Sequence, residues 1–164
     1  MVNYSDPLRL CDMGDTRWLD PDQQRDWRTF VNGVARLTDR LDRVLRDKHG
    51  LSMPEYEILV RLSEAEQRRQ RMADLAESVS HSRSRLSHTV GRLESDGLVR
   101  RESCGGDGRG VYAVLTDKGF ARLAAAAHDH VTSVREYFVD VIEPRDLVAI
   151  GRAFRSVTTR LEAD

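Results

Sequence analysis

The sequence predicts a mainly α-helical chain with one small β-hairpin, and three observations carry that prediction. Apolar residues recur at 3–4 spacing through most of the chain, the mark of amphipathic helices. Two short strand-like runs, Leu98–Glu102 and Val111–Leu115, flank a tip rich in glycine. Just before them, two helical segments beginning at Met72 and Arg83 are separated by little more than Ser80-His81-Ser82.

At 164 residues the chain is most simply a lead segment over 1–19 and one domain over 20–164. The lead holds Pro7 and Gly14, and its Trp18 is expected to pack on the body. Asp20-Pro21-Asp22-Gln23 then reads as a helix start, with Asp20 as N-cap, proline in the first turn and Gln23 at the capping-box site. The helix is expected over 20–48, ending at Gly50. Trp27, Phe30, Val34, Leu37, Leu41 and Val44 give it a heptad-like stripe. A rod of about 42 Å exceeds what one compact domain covers, so part of it is expected to meet a second subunit.

Ser52-Met53-Pro54-Glu55 is a second capping box, opening a helix to about Ser63 with Tyr56, Leu59 and Leu62 inward. A polar loop follows, in which Arg69–Arg71 is expected to pair as a third strand. In the helix from Arg83, Leu86, Val90 and Leu93 form one apolar stripe. Thr116 caps a further helix bearing Phe120, Leu123, Ala127, Val131, Val134, Phe138 and Val141. Glu143-Pro144 breaks that pattern, and Leu147, Ile150, Phe154, Val157 and Leu161 form the last stripe. These long terminal helices, 20–48 and 117–163, are expected to form a dimerisation bundle around a core over 52–116.

The chemistry lies in that core. Because Leu86, Val90 and Leu93 face inward, Ser84, Arg85, Ser87 and His88 must face outward, with Arg83 and Arg92 nearby, and no acid precedes Glu94. Such a helix suits a major groove, with its early residues at base edges and its N-terminal amides toward phosphate. The tip Ser103–Gly110 holds four glycines, with Asp107 placed to orient Arg109 for a narrow minor groove. Helix and projecting loop together describe a winged helix-turn-helix. Net charge is −1 overall, yet Arg68–Arg109 holds nine Arg and six acids, so a locally basic module sits in a slightly acidic chain.

These residues resemble the multiple antibiotic resistance regulator (MarR) family of bacterial winged-helix regulators. Asp107-Gly108-Arg109 followed by Leu115-Thr116 is similar to the family's D-x-R…L-T wing signature. Met72-Ala73-Asp74-Leu75-Ala76 and Gly97-Leu98-Val99-Arg100-Arg101 look like its helix entry and helix-to-wing passage. The resemblance runs from roughly Asp22 to the C-terminus, and His81 departs from it, standing in the turn where an aliphatic residue is expected. It implies a homodimeric regulator, most simply a repressor, bound to a pseudo-palindromic double-stranded operator. It also implies a small aromatic or lipophilic effector held between the DNA-binding lobe and the dimer helices, where Trp27, Phe30, Met53 and Tyr56 are candidates for lining as well as for ordinary core.

Other chemistries find less support. One branch of the family senses peroxide through a cysteine near the N-terminus. Here Cys11 lies before the first long helix among Asp6, Asp12 and Asp15, where acids raise a thiol's pKa. Cys104 on the wing tip is the other thiol-sensor candidate. His128 and His130 stand at i and i+2 of a helix and do not share a face, so no metal site is expected. No phosphate loop, C-x-x-C pair or nucleophile–base–acid set appears, so neither an enzyme nor a cofactor is expected. With no apolar run near the length of a membrane helix and no signal-peptide pattern, a cytoplasmic protein without a membrane partner is expected. A winged-helix protein-interaction module is the competing reading; it would call for an apolar or acidic recognition face and a shortened wing.

Overall fold

The computed structural model describes residues 16–79, 82–103 and 110–163. The chain divides into two compact units, Met1–Arg36 and Leu37–Asp164, with the division inside the first helix, α1 (Pro21–His49). In the first unit the capping box at the start of α1 forms as expected. Gln23 N donates to Asp20 Oδ1 at 2.8 Å, and Asp20 N donates to Gln23 Oε1 at 3.1 Å. The stripe residues Trp27, Phe30 and Val34 are exposed, and Trp18 stays half-exposed. Trp18 borders a shallow cavity with Leu19, Gln24 and Trp27.

The second unit continues through α2 (Met53–Glu64), a short 3-10 turn, β1 (Arg69–Arg71), α3 (Met72–Ser78) and α4 (Arg83–Ser95). The strands β2 (Val99–Ser103) and β3 (Val111–Leu115) follow, then α5 (Asp117–Tyr137), a second 3-10 turn and α6 (Pro144–Glu162). The sheet is antiparallel in the order β1-β3-β2, so the Arg69–Arg71 strand expected from sequence lies beside β3. The hydrophobic core joins Leu45 of α1 and Ile58, Leu59 and Leu62 of α2 to Leu75, Leu86, Val90 and Leu93 of α3 and α4. Val99, Ala113 and Leu115 close it from the sheet, and Leu123 and Ala126 from α5.

Three details differ from the sequence pattern. In α1 the buried residue is Leu45, one position beyond the expected stripe. In α5 the buried face runs through Gly119, Leu123, Ala126 and Ser133, while Phe120 and Val131 of the expected stripe are exposed. That helix also ends at Tyr137, ahead of Glu143-Pro144, because Phe138 leaves helical geometry at φ −138°, ψ −65°. An Arg135–Asp140 ion pair at 2.6 Å spans the turn that follows. No residue of α6 is buried, and its Phe154, Val157 and Leu161 are exposed.

One contact sets how α5 meets the sheet. Thr116 Oγ1 accepts from Gly119 N at 2.9 Å, capping α5, and donates to the carbonyl oxygens of Gly97 and Leu98. This draws the first turn of α5 so close to the chain entering β2 that a Cβ on Gly119 would lie 2.1 Å from the Leu98 carbonyl oxygen. Backbone cannot yield as a side-chain end can. Gly119→Ala is expected to cost about 2 kcal/mol or more, within the range for overpacked sites, read as a lower urea midpoint; an unchanged midpoint would show that α5 can pull back without loss.

Candidate nucleic-acid interface

The surface built by α4 begins at its cap. Ser82 adopts extended geometry and its Oγ accepts from Arg85 N at 3.3 Å, satisfying one amide of the first turn. The buried stripe Leu86, Val90 and Leu93 fixes the rotation of the helix, and Ala76 of α3, only 4% exposed, lets the two helices cross closely. Consequently Arg83, Ser84, Arg85, Ser87 and His88 are all exposed on the outer face, and the first turn contains no acid.

The arginines of this module fall into two groups. Arg68 lies over the Phe120 ring and 3.3 Å from Asp117. Arg69 and Arg71 flank Tyr112, Arg100 pairs with Glu102 at 2.7 Å, and Arg101 pairs with Glu94 at 2.9 Å. Arg92 reaches Glu55 of α2 at 3.2 Å, although its own side chain remains 57% exposed. Among the described residues, Arg83, Arg85 and His88 make no ion pair or side-chain hydrogen bond. A phosphate or base edge can therefore take their donors without breaking an internal contact, at the cost of displacing water.

Sequence reading missed the role of Arg101. It sits on β2, directly opposite Ala113, and its side chain spans from the strand to α4. The available signal was the alternation of β2: Arg101 is two residues from the buried Val99, so both project from one face of the strand, toward the helices. Arg71, Met72, Arg83, Leu86, Arg101 and Val111 surround a cavity of about 450 Å³ between the helix-turn-helix and the strands. Asp107, Arg109 and Cys104 of the tip, together with Cys11 and His81, lie outside the described residues.

The effector candidates divide between the two units. In the first, Trp27 and Phe30 stand with ring centroids 5.9 Å apart and are 56% and 40% exposed. In the second, Met53 and Tyr56 line a cavity of about 280 Å³ with Val60, Arg61 and His130. The Tyr56 and His130 rings lie 4.6 Å apart, and burial raises the tyrosine pKa and lowers that of the imidazole. His130 Nδ1 is buried without a hydrogen-bond partner among the described residues. Its neighbour Asp129 turns the other way, to Lys48 at 2.6 Å and His49 at 2.9 Å, and the hydrogen bond from Lys48, then that from His49, holds its carboxyl below the usual range. His128 is exposed.

Known proteins share both this architecture and the sequence that builds it. Residues 49–110 match the sequence profile of the MarR family. The HTH-type transcriptional regulator PecS of Dickeya dadantii (strain 3937) is 36% identical over 122 residues, which span 70% of this chain and 67% of that protein. The crystal structure of AbsC, a MarR family transcriptional regulator from Streptomyces coelicolor, superposes with a TM-score of 0.86 at 44% identity, covering 91% of this chain and all of that one. Sco3205, a MarR family regulator from the same organism solved in complex with DNA, gives a TM-score of 0.85 at 41% identity over 87% of this chain and 90% of that one. With its winged helix-turn-helix, its basic exposed helix and these relatives, the chain belongs to the MarR family of transcriptional regulators.

Proposed function

We propose that the protein is a cytoplasmic homodimeric repressor that binds a pseudo-palindromic double-stranded operator and is released by a small aromatic or lipophilic effector. The observation that carries the DNA reading is the sorting of arginines. Six of the eight described between Arg68 and Arg101 have partners within the chain, while Arg83 and Arg85, at the start of an outward-facing capped helix, have none among the described residues. Ser84, Arg85, Ser87 and His88 enter the major groove in this reading, with Arg83 and Arg92 near phosphates. Arg109, oriented by Asp107, takes the flanking minor groove, a role resting on the sequence of the tip. The complex of the similar Sco3205 with DNA supports DNA as the ligand. A protein-binding module is not favoured, because the exposed face of α4 is basic and polar.

A second copy of the chain is the partner proposed for the exposed apolar residues of the terminal helices. Trp27 and Val31 in the first unit, and Val148, Val157 and Leu161 on α6, are large apolar side chains exposed in a single chain. Two-fold symmetry then sets half-sites about one helical turn apart, roughly 34 Å. For the effector, the cavity beside Met53, Tyr56 and His130 combines apolar Met53 and Val60 and an aromatic edge with charged Glu57, Arg61 and Glu64, a lining suited to a flat ring that carries a polar group. An occupant there would act by changing the separation of the two recognition helices.

Selection from a random duplex library tests the central reading. A two-fold related consensus is expected, and recovery of unrelated sequences alone would overturn it. On the selected site, Arg85→Ala is expected to cost about 1–3 kcal/mol at one base position while other positions keep their preference; an equal loss on every sequence would make Arg85 a phosphate contact. Arg109→Ala is expected to weaken operator binding markedly in gel-shift titration while the dimer persists in gel filtration. Unchanged affinity would remove the wing from the interface.

A further inference from the structure

Arg101 makes three hydrogen bonds to α4 that neither the core nor the proposed DNA contacts require. Its Nη1 donates to Glu94 Oε2 at 2.9 Å, its Nη2 to the Ser87 carbonyl at 2.8 Å, and its backbone N to Glu94 Oε1 at 3.2 Å. In the sheet order β1-β3-β2 the strand bearing Arg101 is an edge, and its outward amide is met by the Glu94 carboxylate instead of another strand. One carboxylate thus holds both main chain and side chain of the same residue. The guanidinium fork reaches two turns of α4 at once, Ser87 within the proposed recognition face and Glu94 at the helix end.

We propose that Arg101 is a specificity-determining positioning residue: by clamping β2 to α4 it fixes the angle between wing and recognition helix, so that major-groove and minor-groove contacts are made together. This rests on the DNA-binding reading above. Base-edge hydrogen bonds tolerate only a few tenths of an ångström. A strand rises about 3.3 Å per residue, so a rotation of about 10° at the clamp displaces Ser103, at the end of β2, by about 1 Å. Phosphate contacts, made by long flexible side chains, survive such a displacement better than paired groove contacts do. Loss of the clamp therefore removes sequence preference before it removes affinity for DNA as such.

The test measures binding of the full-length protein to the selected operator duplex and to a scrambled duplex of equal length, at one salt concentration. Arg101→Gln is expected to lower operator affinity about tenfold or more with the scrambled duplex changed by no more than about twofold, compressing the specificity ratio. Arg101→Lys is expected to behave similarly, because an ammonium keeps the charge and loses the fork. Glu94→Gln is the deciding variant. As half of the clamp it is expected to lower operator preference, whereas if Arg101 were itself a phosphate contact, removing the competing carboxylate would tighten binding to both duplexes. Tightening by Glu94→Gln, or an equal loss on both duplexes for Arg101→Gln with full rescue by lysine, overturns the proposal. Thermal melting confirms folding of each variant, and if Arg101→Gln fails to fold, Glu94→Gln decides alone. Absence of any duplex preference in the wild-type protein would instead indict the DNA reading.

Discussion

Burial of Leu86, Val90 and Leu93 fixes the rotation of α4 about its own axis, and the remainder of the interface follows from that rotation. Each is at most 1% exposed. Truncating one such leucine to alanine typically costs about 2–5 kcal/mol, a large share of the stability of a domain this size. A helix held that firmly along one stripe has no freedom to choose which polar side chains meet solvent. Arg85, Ser87 and His88 are outward because the leucines are inward. The same stripe brings the end of α4 against α2 and β2, where Arg92 and Glu94 find their partners.

Behind this surface lies a chain of charged groups that would be costly to bury singly. The Glu55 side chain is 3% exposed. It is kept there by Ser52, whose backbone N and Oγ donate to it at 2.7 Å and 2.6 Å, and by the Arg92 guanidinium. Asp42 of α1 accepts from Met53 N at 2.6 Å and from Arg46 at 2.5 Å, so the start of α2 is bound from both sides. The N-terminus of one helix thereby anchors the C-terminal portions of two others. Arg92, read from sequence only as a cation near phosphate, has a structural partner as well.

Much of this was legible in the sequence, for a physical reason. Capping boxes at Asp20 and Ser52, the stripe of α4 and the strand Arg69–Arg71 are encoded by residues only a few positions apart, whose geometry a helix or strand fixes locally. What the sequence concealed depends on partners far along the chain. The Arg101–Ser87 bond is 14 residues long, and the approach of Gly119 to Leu98 is a matter of packing angle, not of any motif. The early end of α5 was hidden for a related reason, since its apolar spacing continues past Tyr137 although the backbone does not. His128 and His130 share no helix face, and nothing in their spacing reveals that His130 meets Tyr56 of another helix.

The turn entering β1 carries one more implication. Gln67 and Arg68 both hold φ of 54°, a left-handed conformation that costs a residue with a side chain about 1–3 kcal/mol. Such geometry persists when neighbours over-determine it, and here they are Phe120 beneath the Arg68 guanidinium, Asp117 beside it, and β3 along Arg69–Arg71. All three lie beyond the residues that carry the family profile, 49–110. A fragment cut at those limits would leave behind the strand and the helix that hold this entry in shape, and would have to keep the left-handed turn without them.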